Sequence, residues 1–468
     1  MSSVEGHAVS RRRRQALRAP GVLLLTIGLL TGCEATSAPL PPPQRLDPPP
    51  VGAGAVLAPA LGDPRDTLPV ARLTRLLRSG PLGPDPSALV VSAEDGSVLL
   101  DVAGSVPRTP ASLLKLTTAA AALSALDPAS RLRTRVVRGA SAEEVVLVGA
   151  GDTTLTAHPD PARRPHRAGL AALAAATANA LKAAGVASVR VGVDDSLFTG
   201  AAVSPHWPGS YVAAGVVSPV SSLSLDGGRV SPRSQVREQE PAIAAGNVFA
   251  RMLRRAGLDV PGDVVRSVAP AAARELAAVE SPTVADLVEL MLSSSDNDLA
   301  ESLLRLAALA RGRAGTFDVG TTVVREVLDE LGVPSEQVRA LDGSGLARGS
   351  KLAPVTLTGL LVTAAAETGS PALDHLLTGL PVAGFSGTLA SRFAAGRARS
   401  AAGVVRAKTG TLTGVSTLAG TATVAGAAVI FVVMSDRVPG DTLAARRTLD
   451  RFAAVLARRA HAGDVTGR

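Results

Sequence analysis

The chain is poor in cysteine, lysine and aromatic residues, and each shortage excludes something. Cys33 is the one cysteine in 468 residues, so no disulfide can close within the chain and a disulfide-framed miniprotein is excluded. One Trp, one Tyr and seven Phe leave few rings on which bases could stack, and no nucleic-acid partner is expected. The six histidines, at positions 7, 158, 166, 206, 375 and 461, form no H-E-x-x-H pair. His158 and His166 are close in sequence but sit in an Arg/Pro-rich stretch that reads as a loop, so no metal is expected. Neither a G-x-G-x-x-G nor a Walker A loop occurs, and no cofactor is expected. There are four lysines, Lys115, Lys182, Lys351 and Lys408, against 44 arginines. A lysine held against that bias has a use in a role arginine cannot fill, because arginine does not shed its proton.

Apolar material is plentiful. The chain is 46% hydrophobic, enough to bury a sizeable core, and its 46 glycines follow no collagen-like period. The first residues read as an address. Arg11 to Arg14 and Arg18 precede the apolar run Gly21 to Leu30, which is too short to span a bilayer but suits the h-region of a secretory signal. Leu30, Thr31, Gly32 and Cys33 then form L-T-G-C, which resembles a bacterial lipobox. We therefore expect export, with Cys33 carrying lipid, a membrane contact through that lipid, and a location outside the cytoplasmic membrane. Without residues 1–32 the formal charge falls from +8 to about +4, so half of the apparent basicity is targeting. Residues 34–65, with P-L-P-P-P-Q-R-L-D-P-P-P at 39–50, read as an extended tether.

An α/β fold is expected beyond the tether. S-A-L-V-V-S-A-E-D-G-S-V-L-L-D-V at 87–102 reads as two strands turning at Gly96. A buried, Ala/Leu-rich helix follows from Thr109, the expected cap, to Leu126. From about 134 to 280 short valine-rich strands flank an alanine-rich helix at 168–184, and this part reads as one or two inserted small domains. Helices are expected at 283–309, interrupted near S-S-S-D-N-D, at 321–331 and at 354–367. Residues 403–436 read as antiparallel strands, and a last helix at 440–460 carries Leu449, Phe452 and Leu456 on one face. Strands near one chain end and a helix at the other imply a catalytic domain made of 66–133 and 281–468, interrupted by 134–280.

Three short motifs carry the chemistry. Ser112 and Lys115 stand i, i+3 at the start of the apolar helix, so their side chains share a face. A serine needs a base to become a nucleophile, and a lysine becomes one when burial lowers its pKa. Ser295, Asp296 and Asn297 form S-D-N at a helix junction, where a hydroxyl can relay a proton and an amide can hold a lysine. Lys408, Thr409, Gly410 and Thr411 form K-T-G-T at the start of a strand, where glycine admits a ligand to the strand edge. Each motif alone is a common polar arrangement. Together and in this order they form the S-x-x-K, S-D-N and K-T-G set of penicillin-binding proteins and related lactamases. Two of the four lysines occupy the set's two lysine positions.

The chain resembles the class C low-molecular-weight penicillin-binding proteins, the D-alanyl-D-alanine carboxypeptidase/endopeptidase group of peptidase family S13. The separation of 183 residues from Ser112 to Ser295 leaves room for that family's extra domains. G-A-G-D-T-T-L at 149–155, D-D-S-L-F-T-G at 194–200 and H-W-P-G-S-Y from 206 echo it. So do L-D-G-S-G-L-A-R at 341–348 and L-P-V-A-G-F-S-G-T-L from 380, with Thr153 and Phe385 as departures. The resemblance implies a serine β-lactamase/transpeptidase-like domain, an antiparallel sheet flanked by helices. It implies that Ser112 attacks the bond between two D-alanines of a peptidoglycan stem peptide and that Lys115 is the base. Ser295 would relay a proton to the leaving amine, and Asn297 would position Lys115. Lys408, Thr409 and Thr411 would hold the terminal carboxylate, and the backbone N–H groups of Ser112 and Thr411 would form the oxyanion hole. β-Lactams would acylate Ser112. A β-lactamase or esterase of the same fold, or a silent wall-binding lipoprotein, are the competing readings. Ser344, in D-G-S-G-L, reads as a polar turn.

Overall fold

The computed structural model describes residues 68–457 apart from 367–369, 395, 425 and 441; Cys33, the leader and the tether lie outside the described residues. Helix α1 (Val70–Leu77) leads to β1 (Ser87–Ser92) and β2 (Val98–Val102). Gly96, at φ 70°, turns the chain between these strands, a conformation that glycine adopts without a Cβ penalty. A 3-10 turn over Ala111–Leu113 opens α2 (Leu114–Ala125). Thr109 does not cap this helix as expected. Its hydroxyl accepts from Lys351 Nζ at 2.9 Å and donates to the Arg348 carbonyl at 3.3 Å, so a tertiary contact has taken the acceptor that a cap would use.

The chain then builds β3 (Arg131–Arg138), β4 (Glu144–Val148), α3 (Leu170–Ala183) and β5 (Arg190–Asp194). Helix α4 (Pro241–Arg255), β6 (Val265–Arg266) and β7 (Glu275–Thr283) follow. These strands form one sheet in the order β6-β5-β4-β3-β7, parallel from β4 to β6 and antiparallel at β3. Its own apolar cluster joins Val145, Leu147, Val191 and Val193 to Leu173, Leu181 and Phe249.

A run of helices comes next: α5 (Val284–Ser294), α6 (Asn297–Ala310), α7 (Phe317–Glu330), α8 (Pro354–Ala365) and the short α9 (Asp374–Thr378). Helix α7 starts four residues before its expected beginning, because the Thr316 hydroxyl accepts from the Val319 N–H and fixes the first turn. The break between α5 and α6 falls at Ser295, which stands at φ 59°. Asp296 then caps α6 by accepting from the Leu299 N–H at 2.9 Å.

Strands β8 (Arg406–Leu412), β9 (Val415–Val424) and β10 (Ala427–Ser435) and helix α10 (Thr442–Leu456) complete the described chain. The main sheet has the order β2-β1-β10-β9-β8 and is antiparallel throughout, so strands from the two chain ends meet where Ser87–Ser92 pairs with Val429–Met434. Both of its faces are covered, which is why β10 reads as a continuous apolar run. Ile430, Val432 and Met434 face the layer of α2, α5, α6, α7 and α8, while Val429, Phe431 and Val433 face α1 and α10. Leu449, Phe452 and Leu456 of α10 are buried on that second face, as their spacing predicts.

Phe452 has no exposed surface and its ring lies 6.5 Å from that of Phe431. Phe452→Ala is expected to cost about 3–5 kcal/mol through lost burial and the cavity left behind. Thermal unfolding checks this, and an unchanged melting temperature would contradict the packing described for α10.

Candidate active site

The residues at the head of α2 are held in a strained turn. Ala111, just before Ser112, adopts φ 49°, a region that costs a non-glycine residue about 1–2 kcal/mol. Its neighbours hold it there. The Thr417 hydroxyl of β9 donates to the Pro110 carbonyl at 3.0 Å. Gly410 of β8 and Gly345 approach closely on the other sides. A Cβ on Gly410 would lie 2.8 Å from the Pro110 oxygen, and one on Gly345 would lie 1.9 Å from the Ala111 oxygen. Gly345 also stands at φ 81°. Glycine at both positions lets the edge of the sheet and a loop close on the serine turn.

Lys115 lies one turn further along α2 and is completely buried. Its Nζ is 3.2 Å from Ser112 Oγ, 2.8 Å from Asn297 Oδ1 and 2.7 Å from the Ser344 carbonyl. Asn297 is the first residue of α6, and its Nδ2 donates to the Val216 carbonyl at 2.9 Å. That bond settles which end of the amide faces Lys115, since a carbonyl can only accept. Burial pushes the Lys115 ammonium down to about 8, against the opposing fields of Glu301, Asp342, Asp296 and Asp298.

The second lysine faces the first from β8. Lys408 is also completely buried, and its Nζ donates to Ser295 Oγ at 2.8 Å and to the Thr409 carbonyl at 2.9 Å. Burial, and then the charge of Lys115, push its pKa well below the usual lysine range. The left-handed backbone of Ser295, where α5 stops, lets its hydroxyl meet Lys408. Thr409 and Thr411 are half-buried on β8, which pairs with β9 on one side and forms the edge of the sheet. Thr409 Oγ1 donates to Thr388 Oγ1 at 2.9 Å.

The fold therefore brings together two hydrogen-bonded groups, Ser112–Lys115–Asn297 and Ser295–Lys408, whose lysines feel each other's charge, with Thr409, Gly410 and Thr411 continuing along β8 from Lys408. The sequence reading missed three contributors. Ser344 does sit in a polar turn, yet its main-chain carbonyl is an acceptor for Lys115. Val216 likewise acts through its carbonyl, and no side-chain pattern reports that. Glu301 has no exposed surface and accepts from the Gly343 and Ser344 N–H groups at 2.8 Å each. The signal for Glu301 was available: it follows Asn297 by four residues on α6, with Ala300, Leu303 and Leu304 around it.

Comparison with known proteins agrees with this geometry. The profile of the D-Ala-D-Ala carboxypeptidase 3 (S13) family matches residues 70–240 and 233–458. A carboxypeptidase of Mycobacterium tuberculosis is 37% identical over 388 residues, covering 81% of both chains. Carboxypeptidase DacB of Mycolicibacterium smegmatis is 34% identical over 465 residues, 96% of this chain and 98% of its own. Penicillin binding protein 4 of Haemophilus influenzae shares the fold with a TM-score of 0.67 at 23% identity, over 82% of this chain and 97% of its own.

Gly345→Ala is expected to displace the Ala111 carbonyl, because the added Cβ would fall 1.9 Å from that oxygen. Displacing a reacting group by about 1 Å costs on the order of 100-fold in rate. Acylation by a fluorescent penicillin measures it, and a parent-like rate would show that the serine turn tolerates the shift.

Proposed function

This chain belongs to the D-Ala-D-Ala carboxypeptidase 3 (S13) family and is a serine-type D-Ala-D-Ala carboxypeptidase, and from that premise we propose that Ser112 is its nucleophile and Lys115 its general base. The single observation that carries the assignment is the partner set of Lys115. A neutral amine has two N–H donors and one lone pair. Asn297 Oδ1 and the Ser344 carbonyl can only accept, so they take the two N–H groups. The lone pair is then left for the third partner, the Ser112 hydroxyl, which can donate its proton. A pKa of about 8 makes the neutral form accessible near neutral pH.

The substrate is a peptidoglycan stem peptide ending in D-Ala-D-Ala. Ser112 Oγ attacks the carbonyl between the two residues as its proton passes to Lys115. The oxyanion lies against the backbone N–H groups of Ser112 and Thr411. Ser295 relays the proton taken up by Lys115 to the departing amine of the last D-alanine, which returns Lys115 to its neutral form for the deacylating water; Lys408 Nζ donates to the Ser295 hydroxyl and orients it. Water then cleaves the acyl-enzyme by the same route. The Thr409 and Thr411 hydroxyls receive the terminal carboxylate, and Lys408 adds its positive field from behind them. The same centre serves endopeptidase cleavage of cross-linked peptides. β-Lactams acylate Ser112 as substrate mimics; a solved structure of the Haemophilus influenzae protein is a complex with a β-lactam. The separate sheet and core of the middle segment support reading 134–280 as an insertion in a catalytic domain made of 66–133 and 281–468.

Ser112→Ala is expected to abolish both D-alanine release and labelling by penicillin. Lys115→Arg keeps the positive charge but cannot lose its proton, so acylation should slow by about 100-fold to 10,000-fold. Lys408→Arg should lose less, because its charge persists and it is not the base. Stopped-flow acylation by a chromogenic cephalosporin orders the three, and a Lys115→Arg rate near the parent's would overturn the mechanism.

The leader supports export, with Cys33 lipidated and the tether holding the enzyme outside the cytoplasmic membrane. Among the described residues no helix is long and apolar enough to cross a membrane. Cys33→Ala is expected to move the protein from the membrane fraction to the soluble one, and fractionation unchanged by the substitution would exclude lipid on Cys33.

A further inference from the structure

We propose that Glu301 is a positioning residue for the general-base step: its carboxylate fixes the loop that presents the Ser344 carbonyl to Lys115. The proposal rests on reading Lys115 as the base. Glu301 follows Asn297 by one turn of α6, so both project from the same face of the helix. Asn297 supplies one acceptor to Lys115 directly. Glu301 supplies the other indirectly. Its Oε2 accepts from the Gly343 N–H and its Oε1 from the Ser344 N–H, both at 2.8 Å. The Ser344 carbonyl that leaves this loop is the group 2.7 Å from Lys115 Nζ. One helix thereby sets the spacing of both acceptors that orient the lysine.

The rest of the loop is held with equal care. Asp342 Oδ1 accepts from the Gly345 N–H at 2.8 Å, and that N–H shares a peptide plane with the Ser344 carbonyl. Asp342 Oδ2 accepts from the Ala347 N–H at 2.7 Å and from Trp207 Nε1 at 2.8 Å. Thr118 Oγ1 of α2 donates to the Gly343 carbonyl at 2.7 Å. Two completely buried carboxylates therefore clamp four backbone N–H groups of one short loop. Burying two carboxylates is costly, and a loop needing only a compact turn can form one from its own backbone. What the carboxylates add here is a fixed carbonyl aimed at the lysine.

The charges around the lysine make the role measurable. Lys115 faces Glu301, Asp296 and Asp298 from α6, Asp342 from the loop and Lys408 from β8. Glu301 itself faces Asp342, Lys115 and Arg305. Glu301 heads the carboxylates whose fields favour the ammonium form of Lys115. Burial and the neighbouring Asp342 push Glu301 itself up to about 8, against its hydrogen bonds to Ser344 and Gly343, so it ionises over the same range as Lys115. Where it is ionised, removing its charge favours the neutral amine, and the pH at which acylation switches on should fall. Removing the geometric clamp should lower the rate above that pH.

The test is Glu301→Gln in the full chain, which keeps the side-chain volume but replaces one acceptor with a donor. D-alanine release from an N-acyl-D-Ala-D-Ala peptide and acylation by a fluorescent penicillin are followed from pH 5 to 10. Expected are a kcat lower by about tenfold to 100-fold, a KM within about twofold, and an acid limb shifted to lower pH. A kcat and an acid limb both equal to the parent's, whatever the melting temperature, would reduce Glu301 to a structural role and overturn the proposal. Should Glu301→Gln fail to fold, Glu301→Asp is read instead. It retains the charge but is one methylene too short for both N–H groups, so a lowered kcat with an unmoved acid limb is expected, and a parent-like kcat overturns the proposal. Failure of the underlying reading shows separately, as rapid acylation of Lys115→Arg with Glu301 intact.

Discussion

The site depends on one buried amine. Lys115 has been carried out of water on the inner face of α2, and its three polar neighbours are all it has in exchange. A charged ammonium in such a place loses hydration that three neutral oxygens do not fully replace. The proton therefore leaves more readily than in water, and four surrounding carboxylates limit how far the fall goes. The balance leaves a lysine able to exist in both forms near neutral pH, which a general base requires.

Much of the fold follows from keeping that amine in place. Helix α2 must be apolar on nearly every side to exclude water, and it lies between the sheet and α5, α6 and α7. The break at Ser295 ends α5 so that α6 can begin with Asn297 pointing at the lysine. The middle of the chain takes part as well. Val216 fixes the Asn297 amide, Trp207 fixes Asp342, and the Ser218 N–H donates to Asp298 at 2.7 Å. Residues far from the three motifs in sequence thus hold the groups that the motifs supply. The strain at Ala111 is a further expense, balanced by Gly345, Gly410 and Thr417 packed around it.

What could be read in the sequence tracks what side chains advertise. The strands at 87–102 and 403–436 and the helix at 440–460 were legible because apolar spacing reports which face is buried. Ser112, Lys115, Ser295, Asn297 and Lys408 were legible because their types and order are rare in combination, and the hydrogen bonds among them span up to 182 residues. Thr109 misled because a threonine before a helix usually caps it, and here a distant partner, Lys351, donates to the oxygen that would have accepted from the helix. Ser344 and Val216 could not be read, since they act through carbonyls that every residue possesses. Glu301 lay between these cases: an acid on an apolar helix face is a signal, but its partners are backbone groups more than forty residues away.

Burial makes the neutral, basic form of Lys115 accessible near neutral pH. The most direct test is the ionisation of that amine itself, followed by nitrogen-15 NMR of the Lys115 side chain in the uninhibited protein as pH is raised. The account predicts a midpoint near 8, more than two units below the ordinary lysine value of 10.5, matching the acid limb of acylation. A Lys115 ammonium that titrates at 10.5 or above while acylation is already complete at neutral pH would contradict it.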